Sequence, residues 1–158
     1  MSRFRLLRRL APVALVAVTF LWLGSVTAAD VKSLNSAAIK ITPPDKIQWT
    51  TSPSGSSQAI LAGDPNKPGM YIVLTKWSAG HMSRPHSHPN DRFITVISGT
   101  WWVGTGSKYD PASTVPVQAG SVVTHFGGQL HYDGAKEGDC LLQISGMGPA
   151  TSTNGEVK

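Results

Sequence analysis

Short apolar runs alternate with polar, turn-forming segments over most of the chain. Runs rich in β-branched and aromatic residues predict six strands, at 58–62, 70–77, 93–98, 100–103, 121–125 and 140–145. Turns that contain glycine or proline separate them at hairpin spacing, at 63–69, 98–100 and 125–129. No window of adequate length has the apolar spacing of an amphipathic helix. The pattern therefore predicts an all-β fold, either a sandwich or a small barrel.

The N-terminal end of the chain departs from this pattern. Residues 1–10 carry four arginines, residues 11–24 form an unbroken apolar run, and small residues follow up to Ala29. This order is typical of a cleaved signal peptide, which we predict over 1–29. The alternative is an uncleaved membrane anchor, but the run is shorter than the roughly 20 residues that cross a bilayer. We expect a periplasmic or secreted protein without membrane attachment after cleavage.

The rest of the chain suits one domain of ordinary size. Its polar, proline-containing residues 30–57 predict an N-terminal arm or linker, residues 58–148 a barrel, and residues 149–158 a polar C-terminal tail. Removal of residues 1–29 takes away four of the 14 basic residues and none of the nine acidic ones. The mature chain is therefore nearly neutral and has no basic run, which argues against nucleic-acid binding.

Three histidines are the candidate metal ligands. His86 and His88 are two residues apart in an extended segment, so both imidazoles point to one side. His131, which follows a glycine-containing turn, is the leading candidate for a third ligand. Neutral imidazoles suit iron, zinc, nickel and copper better than manganese. Of the other histidines, His81 is predicted to be exposed, and His125 is either a structural histidine with satisfied hydrogen bonds or a base near the barrel mouth.

The spacing of glycines and histidines resembles the two sequence motifs of the cupin superfamily. The first motif is met by Gly80, His86, His88 and Gly99, with Arg92 at the place of the usual glutamate. The second is met by Gly120, Gly128 and His131, with Phe126 at the place of proline and Ala135 at the place of asparagine. Segments such as GDPNKPG and TVISGTWWVGTG further resemble exported, single-domain bacterial cupins of mostly unassigned activity.

The resemblance covers roughly residues 58–148. It implies a double-stranded β-barrel of the jelly-roll type with a divalent metal inside. It does not imply one reaction, because cupins include dioxygenases, isomerases, lyases and proteins that only bind a ligand.

Arg92 is the departure from the motif that bears most on function. A guanidinium cannot ligate a cation. Arg92 lies four residues after His88 and shares its face unless the strand bulges. Three outcomes stay open. The three histidines hold the metal alone while Arg92 pairs with Asp91 or clamps an anionic substrate; a bulge turns Asp91 inward as a substitute ligand; or the metal is lost.

Two functions are compatible with these residues. The first is a metal-dependent enzyme of the dioxygenase, isomerase or lyase type, in which Arg92 orients the acidic group of a small organic molecule. The second is a non-catalytic module that binds a ligand or a metal. A third hypothesis is that the barrel belongs to a structural or interaction protein.

The remaining features concern packing. Trp101 and Trp102 point to opposite faces of one strand, so one of them is predicted to face inward and the other outward. An outward tryptophan and the predicted arm suit a homodimer. The single cysteine, Cys140, cannot form an internal disulfide, and its leucine neighbours predict a buried, unreactive thiol.

Overall fold

The structure is a computed structural model that describes residues 34–157, so the predicted signal peptide at 1–29 lies outside the described residues. The chain divides into two compact units, Met1–Ile41 and Thr42–Lys158. In the described part of the first unit, the amides of Ala38 and Ile39 donate to the carbonyl of Asn35. The strands of the described residues all lie in the second unit.

Residues 34–157 contain short 3₁₀ helices at Pro44–Lys46 and Pro111–Ser113 and otherwise only strands as regular structure. The strands are β1 Thr50–Thr51, β2 Ser56–Ala62, β3 Gly69–Trp77, β4 His86–Ser87, β5 Arg92–Ser98, β6 Thr100–Thr105, β7 Val115–Gln118, β8 Val122–His125, β9 His131–Gly134, β10 Cys140–Gly148 and β11 Thr153–Asn154. The all-β prediction is confirmed, and each of the six predicted strands coincides with one of these. No helix in the described part of the chain has the length and apolarity needed to cross a membrane.

The strands form two antiparallel sheets. The larger has the order β1-β2-β3-β10-β5-β8 and the smaller the order β11-β4-β9-β6-β7. Every second side chain is buried over most of β10 and in the middle of β5, as expected for strands with one face in a core, whereas Val73, Leu74 and Thr75 of β3 are all buried. Tyr71 and Ile94 of the larger sheet and Trp101 of the smaller sheet belong to the same buried cluster, so both sheets build one core.

A tight turn links β5 of the larger sheet to β6 of the smaller one. Gly99 lies in this turn with φ of 76°, a region that favours glycine. A Cβ atom at this position would overlap the carbonyl oxygen of Asp139. The glycine that matches the end of the first motif is therefore required by the turn.

The sheets extend beyond the predicted barrel limits of 58–148. β1 and the first residues of β2 lie in the predicted arm, and β11 lies in the predicted polar tail. Thr153 and Asn154 of β11 pair with Ser87 and His86 of β4. The assignment of 30–57 and 149–158 as separate segments stays a prediction, but both contribute strands to the sheets.

Candidate functional site

The structure brings the three predicted metal ligands together. His86 of β4 and His131 of β9 are direct partners across these two strands, and His88 follows β4. One nitrogen of each ring lies within 4.8 Å of those of the other two. The ring centroids are 4.5 to 5.5 Å apart. The site therefore depends on the pairing of β4 with β9. These strands lie far apart in the chain, and the sequence alone does not define their pairing.

Each of these rings is held by a hydrogen bond at Nδ1. Backbone carbonyls accept these bonds: Arg84 for His86 (2.7 Å), Thr151 for His88 (2.9 Å) and Gln129 for His131 (3.1 Å). A carbonyl only accepts, so Nδ1 carries the hydrogen and Nε2 keeps a free lone pair. This is the usual way in which proteins orient an imidazole that binds a metal.

Burial favours the neutral form of His88 and His131. It lowers the pKa of His88 to about 3 and that of His131 to about 4, and the Arg92 charge acts in the same direction. The Nε2 atom of His88 is buried without a hydrogen-bond partner among the described residues. Neutral rings with converging Nε2 atoms, one of them unpartnered, fit a divalent transition-metal ion.

Arg92 points into the barrel toward the same histidines. It starts β5 and lies opposite His125 of β8 in the strand register. Its Nη2 atom lies 3.3 Å from Nδ1 of His125 and 3.4 Å from Nε2 of His131. Because a guanidinium only donates, both ring nitrogens accept from it. Arg92 thus engages the lone pair that His131 would offer to a metal.

Asp91 takes neither of the roles considered for it. It is exposed, and its Oδ1 accepts a hydrogen bond of 2.8 Å from the amide of Gly127. It forms no ion pair with Arg92 and does not lie in either group of potential metal ligands found among residues 34–157. The chain bends at Pro89 and Asn90, between β4 and β5, but the bend leaves Asp91 exposed and does not turn it inward.

His125 is buried, but it is not the fully satisfied histidine expected as one alternative. Its Nδ1 atom accepts from Arg92, whereas its Nε2 atom is buried with no hydrogen-bond partner in the described part of the chain. Its ring centroid lies 3.8 Å from that of His131 and 5.3 Å from that of Trp101. Burial, followed by the nearby His131, lowers the pKa of His125 to about 2.

Asp133 is a buried site residue that sequence reasoning missed. It is 6% exposed, and its Oδ1 atom accepts a hydrogen bond of 3.2 Å from the indole nitrogen of Trp101. Together with His125 and His131 it forms a second group of potential ligand atoms within 4.8 Å of one another. Its spacing from His131 could have indicated this position. Residues two apart in a strand share a face, so Asp133 points inward with His131 on β9.

His88 and Arg92 line two adjoining parts of a cavity in the barrel, and His86 and Asp133 line one of them. One part has a volume of about 650 Å³ and the other about 630 Å³, and His88, Arg92 and Thr75 line both. Most of the other lining side chains are neutral and polar, among them Ser52, Ser56 and Gln58. A volume of this size suits a small organic molecule.

The charge of Arg92 is not balanced by a close carboxylate. Arg92 takes part in none of the ion pairs among residues 34–157. Burial lowers the pKa of its guanidinium, and Asp133 and Tyr71 oppose that shift. Arginine nevertheless stays protonated in proteins. At an effective dielectric constant near 20, unit charges about 4 Å apart interact by about 4 kcal/mol, so this charge attracts anions and repels cations.

Two donors without a partner belong to residues that line this cavity. The Nε atom of Arg92 and the Oγ1 atom of Thr75 are both buried without a hydrogen-bond partner in the described residues. Buried polar groups are rarely left unpaired. An acceptor on a bound molecule would satisfy them.

The C-terminal segment helps to build the site. Arg84 forms a two-point ion pair with Glu156, with an Nε–Oε2 distance of 2.9 Å. The amide of Gly155 donates to the carbonyl of Pro85 at 3.0 Å. These bonds hold the segment against β4 and place the Thr151 carbonyl at Nδ1 of His88.

Four packing predictions can be compared with the structure. His81 is exposed, as predicted. Trp101 is buried in the core, whereas Trp102 lies half-buried under the ammonium group of Lys136, which is 3.8 Å from its ring centroid. Cys140 is buried, as predicted, and burial raises the pKa of its thiol to about 11, which disfavours the reactive thiolate.

No protein-family model and no curated protein matches this sequence. Solved structures do match the fold. KdgF from Halomonas sp. is 20% identical, with a TM-score of 0.55 over 68% of this chain and 94% of that one. The polyketide cyclase RemF from Streptomyces resistomycificus is 15% identical, with a TM-score of 0.63 over 76% and 87%. An RmlC-like cupin from Shewanella frigidimarina is 14% identical, with a TM-score of 0.56 over 69% and 89%. At these identities the likeness establishes the fold alone.

Proposed function

We propose that this chain, which has the cupin double-stranded β-barrel fold, is an exported metal-dependent enzyme that acts on a small organic anion. The observation that carries the proposal is the convergence of the Nε2 atoms of His86, His88 and His131 beside the unbalanced charge of Arg92. The structural similarity to the polyketide cyclase RemF supports the proposal, because RemF is an enzyme with a barrel of this kind.

The three histidines are the residues that would hold the metal. Their Nδ1 bonds to backbone carbonyls fix the rings before an ion binds, which lowers the conformational cost of binding. Zinc, iron, nickel and copper fit this all-nitrogen set. When bound, such an ion supplies Lewis-acid chemistry or, in the case of iron, a place for dioxygen.

Arg92 is the residue that would bind the acidic group of the substrate. His125 and His131 hold its Nη2 atom on one side of the cavity, so an anion at the guanidinium lies beside the three histidines. Its unpaired Nε atom and the Thr75 hydroxyl supply further donors. The reaction is of the dioxygenase, isomerase or lyase type.

The metal content of purified protein tests the proposal. We expect one equivalent of a divalent transition metal in the wild type and in His81→Ala, which changes an exposed histidine outside the site. His131→Ala should lose the metal. Equal metal content in the wild type and His131→Ala would remove this residue from the site. Turnover that stops with a chelator and returns with one ion would establish the enzyme.

A specific observation favours a second candidate, a barrel that binds an anion without metal or reaction. Arg92 donates to Nε2 of His131 and so engages the lone pair that a metal needs. In that case the affinity for an anion such as benzoate would be unchanged by a chelator. A chelator-sensitive affinity would favour the enzyme.

Export and dimerisation are proposals that depend on the sequence. The predicted signal peptide places the mature N-terminus near Asp30. Mass spectrometry of protein from the exported fraction should show this start. Light scattering should show a homodimer, and a monomer that persists at high concentration would contradict it.

A further inference from the structure

We infer that a metal ion and a carboxylate anion bind this site cooperatively, and that Arg92 is the residue that couples them. The inference rests on the proposed three-histidine metal site and adds that a bound carboxylate controls the affinity of this site for the metal. It follows from the shared nitrogen of His131, the charge of Arg92 and the unpaired donors of the cavity.

One ring nitrogen of His131 has a lone pair that can either ligate a metal or accept a hydrogen bond from Arg92. Its Nδ1 atom bonds to the carbonyl of Gln129, so only Nε2 can accept or ligate. In the structure that atom accepts from Nη2 of Arg92 at 3.4 Å. Metal binding by His131 therefore requires the guanidinium to give up this hydrogen bond.

The charge of Arg92 opposes the same event. A divalent ion held by His86, His88 and His131 would lie close to a positive group that no carboxylate neutralises at ion-pair distance among residues 34–157. The imidazole ligands add no negative charge, and the buried carboxylate beside them, that of Asp133, lies near His131 but forms no ion pair with Arg92. In the absence of an anion, Arg92 thus lowers the affinity of the site for a cation.

A carboxylate would remove both obstacles. Arg92 and Thr75 both line the cavity, so the guanidinium and the threonine side chain lie where an anion in the cavity would bind. Charge-assisted bonds to a carboxylate are stronger than the present bond to a neutral imidazole. An anion bound here neutralises the guanidinium and frees Nε2 of His131.

Thermodynamic linkage makes the effect reciprocal. If a carboxylate raises the affinity for the metal by some factor, the metal raises the affinity for the carboxylate by the same factor. The resting protein would then hold metal weakly, and the metal and the anionic substrate would assemble in the barrel together.

Calorimetric titration of the full mature protein with zinc tests the coupling. Zinc is titrated in the absence of added carboxylate, with acetate, and with the neutral isostere acetamide, at constant ionic strength and with correction for zinc–acetate complexes. We expect acetate to lower the Kd for zinc by roughly tenfold, a typical coupling between two ligands. Acetamide should leave the Kd unchanged. The Kd for acetate should fall by the same factor when zinc is present.

The Arg92→Gln variant separates the role of the guanidinium from direct binding of acetate to the ion. It removes the charge and keeps a polar side chain. We expect it to bind zinc more tightly than the wild type without acetate, and to lose the acetate response. Circular dichroism checks that it folds, and the wild-type titrations do not depend on it.

Three results would overturn the inference. A wild-type zinc affinity that does not respond to acetate removes the coupling and leaves the metal site intact. An acetate response that persists in Arg92→Gln shows that the anion acts through the ion and not through Arg92. Absence of zinc binding in the wild type and in Arg92→Gln, with and without acetate, removes the metal site and the inference together.

Discussion

The Nη2 atom of Arg92 lies 3.4 Å from the Nε2 atom of His131, at the nitrogen that a metal held by three histidines would need. The corresponding atom of His88 has no hydrogen-bond partner among the described residues. A permanent cation therefore lies beside three imidazoles that could hold a metal. The affinity of this site for metals and anions depends on the balance between them.

Replacement of Arg92 by glutamate should strengthen metal binding. Arg92→Glu removes a positive charge and places a carboxylate, which can ligate, at the same strand position. We expect the Kd for zinc to fall by at least about 100-fold, the equivalent of roughly 3 kcal/mol from charge compensation. Competition titration against a chelator measures the change. Arg92→Gln is the control for loss of charge alone, and an Arg92→Glu protein that binds zinc no better than wild type would contradict the electrostatic account.

The stability of the metal-free protein should fall in weak acid. Burial lowers the pKa of His88 to about 3, of His131 to about 4 and of His125 to about 2, whereas the unfolded values lie near 6.5. Below about pH 6.5 the unfolded chain therefore binds more protons than the folded one, and the free energy of unfolding decreases as the pH falls toward 4. Each histidine contributes up to about 1.4 kcal/mol per pH unit in that window.

Urea denaturation in the presence of a chelator at pH 4.5, 5.5, 6.5 and 7.5 measures this dependence. His125→Gln should reduce the slope between pH 4.5 and 6.5, because it removes one buried group that resists protonation. His81→Gln, which changes an exposed histidine, should keep the wild-type slope. A stability that is flat between pH 4.5 and 6.5 would mean that these rings are not buried as neutral groups.

The C-terminal segment should be required for metal binding. Deletion of residues 151–158 removes β11, the carbonyl that accepts from Nδ1 of His88, and the carboxylate that pairs with Arg84. Loss of a hydrogen bond that orients a ligand typically costs 10- to 100-fold in metal affinity, so we expect a decrease of about that size. Zinc titration of the truncated protein measures it. Deletion of Lys158 alone is the control, and equal zinc affinity in both truncated proteins would show that the segment is dispensable.

The hydrogen bond between Asp133 and Trp101 should stabilise the core. Asp133→Leu leaves the buried indole nitrogen without its acceptor, which costs about 1–3 kcal/mol. Asp133→Asn keeps an oxygen acceptor and should lose less. Urea denaturation of both variants measures the difference. Equal losses would mean that the carboxylate acts through its charge on Arg92 and His131, and not through this hydrogen bond.

Much of the barrel could be predicted because its longer strands are apolar runs rich in β-branched and aromatic residues, bounded by turns that contain glycine or proline. β3, β5 and β10 have seven to nine residues, which is enough for such a run to be recognised. β9 and β11 have four and two residues and contain polar side chains. Such strands are defined by pairing with a neighbour, so the sequence suggested a polar tail where the structure has a sheet edge.

The candidate metal ligands could be predicted from the sequence, but the contacts that hold Arg92 and the buried position of Asp133 could not. The shared face of His86 and His88 follows from strand periodicity. The same periodicity predicts Arg92 on that face, but Arg92 begins a strand of the other sheet after the bend at Pro89 and Asn90, so its position depends on how the two sheets pack. The contacts of Arg92 join residues 33 and 39 positions apart, His125 and His131, and depend on how three strands pair. Asp133 was missed because a polar residue is usually exposed, and only its hydrogen bond to Trp101 explains its burial.

Anomalous diffraction from crystals of the protein purified without added metal or chelator tests the three-histidine metal site most directly. We predict one peak at the absorption edge of a transition metal, about 2.0–2.3 Å from the Nε2 atoms of His86, His88 and His131. Arg92 should then be displaced from His131. No peak among these three rings, in protein shown to be folded and never exposed to a chelator, would contradict the account.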